Sequence, residues 1–434
     1  MKIVYVVPGF GGTFYCQNCF RDGAMIRLLR RGGHDVVVSP MYLPLTGAAA
    51  TPGAPVFFGA INLYLQEKFP LFRRAPAWLK RFFDRPFFLR FASARAGSTR
   101  VRGLEGMTLS VLRGELGHQA AALDELVTWL KRVEKPDLVH LSNALILGLA
   151  PRIRRETGAR IICSLQDEDT WVEAMEHPHD DTAWSIMAEQ ARHVDAFVSV
   201  SKTYGEKMRR RLSIPPKKLH VVPIGVETRG RSASALPWDP PVIGFLSRLS
   251  PTLGLDVLLD AFALVKKDPR LAAARLHLTG GLTGDDGAFL RRAKRRLSRA
   301  GILGDVSFIP DAFASDLRAF LRGLTVLSVP VPGGEAFGTY QIEAMAAGVP
   351  VVQPDAGAFP EIVKDTGGGL IYAPNDAAHL AKALTELLTD RALAGKLGRR
   401  GQESVRKKYS VEAMVKKMDF IYRSLQVRTQ RGKR

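Results

Sequence analysis

Short, wholly apolar strand-like runs alternate with helical segments twice along this chain, and that alternation confines the fold more than any other feature. Residues 3–7 read as a buried strand, Gln17–Arg31 as a helix closed by Gly32-Gly33, and 35–38 as the next strand. Strands without a polar face belong to a parallel sheet covered on both sides, and parallel neighbours need a helical crossover between them. The pattern continues through a helix at 123–133, a strand at Leu138–Leu141, a helix at 145–156 and strands at 160–164, 196–201 and 219–223, with a helix at 202–212. Residues 228–241, rich in Arg, Ser, Ala and Pro and without periodicity, read as a linker. A second series opens at Val242–Leu246 and runs through 255–266, 276–279, the basic helix 285–300, 306–309, Gly369–Tyr372 and a helix at 377–388. The expectation is two doubly wound α/β domains, 1–227 and 242–408, followed by a helix at 411–425 and a basic tail within 409–434. A length of 434 residues is ample for two cores.

Composition narrows the class. With 46% apolar and 24% charged residues the chain is globular. It has no apolar run of about 18 residues, the length of a spanning helix. Met1-Lys2 leads directly into the first strand, without the apolar core and cleavage site of a signal peptide, so a cytoplasmic protein is expected. Three cysteines do not make a disulfide framework. Cys16-x-x-Cys19 has a redox or metal spacing, but it lacks a partner motif and reads as packing or cleft lining. The net charge of +20 favours anionic partners. Within 57–102, Phe69, Phe72, Trp78, Phe82, Phe83, Phe87 and Phe88 are interleaved with Arg73, Arg74, Lys80, Arg81, Arg85 and Arg90. That texture suits contact with an anionic membrane or a lipid-linked acceptor, or equally an insertion packed on the first domain with solvated arginines.

The chemistry concentrates in residues 332–360. Gly333 and Gly334 open the stretch, and Glu335 and Glu343 follow with seven residues between them. Residues 339–347 read as a short helix with one apolar face, stopped by Gly348 and Pro350, and 349–352 as a buried strand. Amides of Phe337, Gly338 and Thr339 at a helix N-terminus can hold a diphosphate. A carboxylate on the helix can accept both hydroxyls of a ribose, and one in the preceding loop can reach sugar hydroxyls beyond the phosphates.

These glutamates, the run from Glu343 to Val352 and the following Ala356-Gly357-x-x-Pro360-Glu361 together resemble the retaining GT-B glycosyltransferases of the group 1 (family 4) type. The resemblance implies two Rossmann-like domains facing across a cleft, with the C-terminal helix crossing back to the first. It implies transfer of a hexosyl unit from a nucleoside-diphosphate sugar to an acceptor hydroxyl, with no metal or other cofactor. Ser247 to Gly254 looks like the family's Gly-Arg-Leu-x-x-x-Lys-Gly segment; Arg248 is present, and Leu253 stands where the Lys is usual. The implied catalytic residues are Arg248 and Glu335. The implied donor-binding residues are Gly11, Gly12, Ser247, Arg248, Glu335, Ala336, Phe337, Gly338, Thr339 and Glu343, with the base near Pro310-Asp311. On the acceptor side the family carries a His where this chain has Gln166, and the adjoining Asp167, Glu168 or Asp169 can orient an acceptor or equally form a solvated loop. Because Gln166 and Leu253 depart from the pattern, a catalytically silent sugar-nucleotide-binding protein remains an alternative. A basic nucleic-acid-binding protein is another, although no reading motif accompanies the charge.

Overall fold

The computed structural model describes residues 1–8, 17–42, 51, 55–58, 103–230, 235–282, 286–309 and 316–431, apart from the side chains of 17–21 and 427–431. The 57–102 segment beyond Phe58, Gly11, Gly12, Pro310, Asp311 and the Cys16/Cys19 side chains lie outside the described residues. The described residues divide into two compact units: one holds Lys2–Val7 and those within Asn18–Val222 and Val415–Arg434, the other those within Pro223–Met414.

The first unit carries six parallel strands, β1 (Lys2–Val7), β2 (Asp35–Pro40), β3 (Leu138–Leu141), β4 (Arg160–Leu165), β5 (Ala196–Ser199) and β6 (Leu219–Val221), in the order β2-β1-β3-β4-β5-β6. β1 pairs Ile3 with Val36 on one side and with Leu138 on the other, so its apolar residues are sealed on both edges and both faces. The segment read as one helix at 145–156 is a 3-10 turn, Ala144–Leu149, followed by the helix Ala150–Thr157. Pro151 explains the break: without an N–H it is tolerated only in a first helical turn.

A polar seam runs through this core. The buried His140 ring shares hydrogen bonds with Tyr422 Oη at 2.7 Å and Ser164 Oγ at 2.9 Å. The Tyr5 hydroxyl donates to Asp22 at 2.9 Å. Tyr422 lies on the C-terminal helix Val411–Arg431, whose Asp419 also meets His34 Nε2 at 2.7 Å.

The second unit has six parallel strands, β7 (Val242–Leu246), β8 (Arg275–Thr279), β9 (Val306–Phe308), β10 (Val326–Leu327), β11 (Val351–Pro354) and β12 (Gly369–Tyr372), ordered β12-β11-β10-β7-β8-β9. β11 begins after Pro350, whose missing N–H cannot join a ladder, and extends through the buried Gln353. Gln353 accepts from Val329 N at 3.2 Å, so its carbonyl is satisfied inside the core. Phe245, Phe262, Phe359 and Tyr340 are wholly buried, each stabilising by roughly 1.5–3 kcal/mol. Among the described residues no helix is long and apolar enough to cross a membrane.

Candidate functional site

A ligand of an open parallel sheet sits beyond the carboxyl ends of the strands, where the strand order reverses. In the second unit that point lies between β10 and β7. Ser247 and Arg248 follow β7 directly, and the glycine loop carrying Glu335 follows β10. One close approach brings these segments together, and the loop after β12 braces the second of them. Gly254, at φ +79°, packs so tightly on Pro330 that any Cβ would overlap the Pro330 carbonyl oxygen. Asn375 Nδ2 donates to the carbonyls of Pro330 and Val331 at 3.2 and 3.3 Å, and Tyr372 Oη holds that amide through Asn375 Oδ1 at 2.7 Å.

The Glu335 loop lies backbone to backbone on the segment after β11. Ala358 N donates to Glu335 O at 2.9 Å. Gly357, at φ +54°, stands where a Cβ would be 2.6 Å from both N and O of Glu335. This gives the Ala356-Gly357 pair a physical reason: it is the bed on which Glu335 rests. Glu335 itself stays half-exposed, with Ala336 and Phe337 buried behind it.

Gly338, at φ +74°, caps the helix Thr339–Ala346, and a Cβ there would stand 2.8 Å from the Phe359 ring. The amides of Phe337 and Gly338 meet no acceptor among the described residues. The helix was expected to have one apolar face; instead it is buried all round, and Glu343 is its one half-exposed residue. The reason is the helix Arg391–Lys408, which sequence reading missed. Gly398 of that helix packs directly on the Gly348 carbonyl, Gly401 lies against Met345, and Gln402 Nε2 donates to Ala346 O at 3.1 Å.

Arg248 is oriented from two sides: Nη2 donates to Thr252 Oγ1 at 3.1 Å, and Nε lies 3.7 Å from the buried Asp286 carboxylate. Asp286 was not anticipated. Ser247 is buried; its amide donates to Thr279 O at 3.1 Å, and Gly280 presses on its carbonyl. Leu253, half-buried, ends the turn Pro251–Leu253.

In the first unit the order reverses between β1 and β3. The loop after β1 holds Gly11 and Gly12 and is outside the described residues. The loop after β3, Ser142 to Ala144, is bound to the end of β4. Gln166 Nε2 donates to Ser142 O at 2.9 Å, so its side chain is occupied as a strut. Glu168, weighed from sequence beside Asp167 and Asp169 as a residue to orient an acceptor, is buried and faces inward. Its carboxylate accepts from Ala144 N (2.9 Å), Gln166 N (2.6 Å) and Tyr204 Oη (2.8 Å), joining three strand–helix connections. Burial pushes the Glu168 carboxyl up to about 7, against the pull of those hydrogen bonds. Asp167 adopts φ +58° at the start of the short helix Glu168–Val172, and Asp169 is bound to Lys207 at 2.6 Å. Among the described residues, one other acidic cluster stands out: His177 Nδ1 lies 3.5 Å from both Asp180 and Asp181, largely in solvent.

Comparisons with known proteins bear on the family and the fold. Residues 227–404 match the family described as Glycosyl transferases group 1, and residues 89–225 match the Glycosyl transferase 4-like domain. A D-inositol 3-phosphate glycosyltransferase of Streptomyces bingchenggensis is 29% identical over 216 residues, 47% of this chain and 47% of its own length. The chain thus matches about half the length of that relative. Among solved structures, the HepE protein of Anabaena in complex with UDP superposes with a TM-score of 0.69 at 16% identity, covering 98% of this chain and 100% of its own. Sucrose-phosphate synthase of Thermosynechococcus elongatus superposes at 0.68 with 20% identity, covering 98% and 99%. These two share the fold, a pair of Rossmann-like α/β domains in the GT-B class.

Proposed function

The chain belongs to the group 1 glycosyltransferases, and on that premise we propose that it transfers a hexosyl unit from a nucleoside-diphosphate sugar to an acceptor hydroxyl with retention of configuration. One observation carries the reading. Arg248 follows β7 and the Glu335 loop follows β10, the two neighbouring strands between which such a sheet takes a nucleotide. HepE of Anabaena was solved with UDP, which favours uridine diphosphate as the leaving group here.

In this mechanism the bond from the anomeric carbon to the diphosphate oxygen breaks while the acceptor oxygen attacks from the same face. The departing diphosphate takes the acceptor proton, so no separate base is needed. Arg248 and the amides leading into Thr339–Ala346 stabilise the charge that develops on the phosphate. These groups perform the service a metal gives in other transferases, so the reaction is metal-independent. Glu335 holds the sugar and Glu343 the ribose. The acceptor is lipid-linked at the inner face of a membrane in envelope glycolipid or polysaccharide synthesis, consistent with the aromatic and basic 57–102 segment.

The test is transfer from a panel of nucleoside-diphosphate hexoses in the presence of a chelator, following nucleoside diphosphate release and the anomeric configuration of the product. Release with retention supports the reading; inversion, or a requirement for divalent metal, contradicts it. Leu253 favours one other reading, a binding protein without turnover, which the same panel identifies as saturable donor binding with no release.

A further inference from the structure

At the opposite end of the second sheet's strands, where β7 and β8 begin, lies a cavity of about 410 Å³. Its volume falls within the range of roughly 300–1,000 Å³ usual for small-molecule sites. Arg270, Arg275 and Arg391 line it, and Asp239 is the one acidic residue in the lining. The lining therefore carries an excess of two positive charges. Trp238, Leu271 and Leu388 supply an apolar wall.

The guanidinium groups are held in place. Arg270 donates through Nε and Nη2 to Asp268 at 2.6–3.2 Å. Arg275 Nη1 donates to Gly304 O at 3.1 Å and pairs with Asp305. Arg391 stacks on Trp238, its guanidinium carbon 5.2 Å from the ring centroid, and lies 3.6 Å from Asp239. Asp268 and Asp305 stand outside the lining, so they orient two guanidiniums without filling the cavity. Each guanidinium has five N–H donors in a planar fork, more than one carboxylate consumes. Arginines fixed by their ion pairs beside an aromatic wall offer further N–H donors to a phosphate group attached to a carbon skeleton.

We propose that this cavity is a second ligand site, distinct from the donor site, which takes a small phosphorylated molecule. The guanidiniums bind the phosphate and Trp238, Leu271 and Leu388 cover the carbon skeleton. Arg248 and the Glu335 loop stand at the carboxyl ends of the strands and this site at their amino ends, so occupation of one does not obstruct the other. The inference does not depend on the reaction proposed above.

The experiment is calorimetric titration of the full-length protein with a hexose 6-phosphate, with inorganic phosphate and the unphosphorylated hexose as separate arms. It is run on wild type, on Arg248→Ala, and on Arg270→Ser/Arg391→Ser. The expected result is one saturable site for the hexose phosphate, unchanged in Arg248→Ala and at least ten-fold weaker in the double variant. Inorganic phosphate should bind the same site more weakly, and the neutral hexose should not bind. Arg391→Gln, which keeps the stem against Trp238, replaces the double variant should its circular dichroism depart from wild type. No saturable binding in Arg248→Ala, binding undiminished in the cavity variants, or equal binding of the neutral hexose would overturn the proposal.

Discussion

The carbonyl of Glu335 accepts the amide of Ala358 at 2.9 Å, and the glycine beside that amide leaves no room for a side chain. Gly357→Ala tests this contact. The new methyl would stand 2.6 Å from Glu335 N and O, and the backbone at φ +54° costs an alanine about 1–2 kcal/mol. Glu335 must move, and displacement of a positioned group by about 1 Å can cost on the order of 100-fold in rate. The predicted outcome is a fall in kcat of that order with a smaller change in donor KM, measured by steady-state kinetics. Unchanged kcat in a folded variant would show that Glu335 does not depend on this bed.

How much of this was legible beforehand differs from element to element. Val242–Leu246, Leu138–Leu141, Gly369–Tyr372 and the helix Gln17–Arg31 were read at the bounds found, because apolar runs between turn signals are local information. The helix Arg391–Lys408 was not: its Gly395, Gly398 and Gly401 weaken the local helical signal, yet two of them serve close helix packing. Glu168 was hidden in an acidic run that looks solvated; its burial depends on the amide of Ala144, far away in sequence. Asp286 beside Arg248 was likewise invisible, since the pairing is tertiary.

Arg248 gives a second prediction. It is the cation named for the diphosphate, and Leu253 occupies the place of a second. Arg248→Ala should lower turnover on the order of 100-fold or more. Arg248→Lys should recover only part, because the planar fork that now spans Thr252 and Asp286 is lost. Leu253→Lys should tighten donor binding. Initial rates and donor titrations check all three; near-normal turnover in Arg248→Ala would assign the charge to another group.

Glu168 gives a pH prediction. Its carboxyl ionises near 7 in the fold against an ordinary 4.5. Between those values the folded protein keeps a proton that the unfolded chain has released. The contribution to stability is therefore complete below about 4.5 and is lost as pH rises through about 7. In Glu168→Gln that dependence should vanish. The amide's NH2 group would also face a backbone donor, Ala144 N or Gln166 N, at a cost of roughly 1–3 kcal/mol. Denaturant unfolding of both proteins from pH 4.5 to 8 measures this; parallel curves would contradict it.

The basic and aromatic 57–102 segment predicts binding to vesicles containing anionic lipid. Each basic residue near such a surface contributes roughly 1 kcal/mol, and salt screens the attraction. Sedimentation with liposomes should show binding that falls with salt and weakens when Arg73, Arg74, Lys80 and Arg81 become Ser. A protein that ignores anionic liposomes at low salt would point to a soluble acceptor.

The central claim is that Glu343 and Glu335 receive a nucleotide sugar, and binding and turnover of one donor in three proteins test it most directly. A thermal-shift screen of nucleoside-diphosphate sugars, with uridine diphosphate sugars among them, identifies the donor as the one that raises the Tm of wild type, because a ligand of the folded state alone stabilises it. Glu343→Gln should weaken that donor by the loss of charged hydrogen bonds, roughly 1.5–3 kcal/mol, while Glu335→Gln should lower turnover more than affinity. A wild type unmoved by every nucleotide sugar, or two variants that bind and turn over the donor as wild type does, would contradict the account.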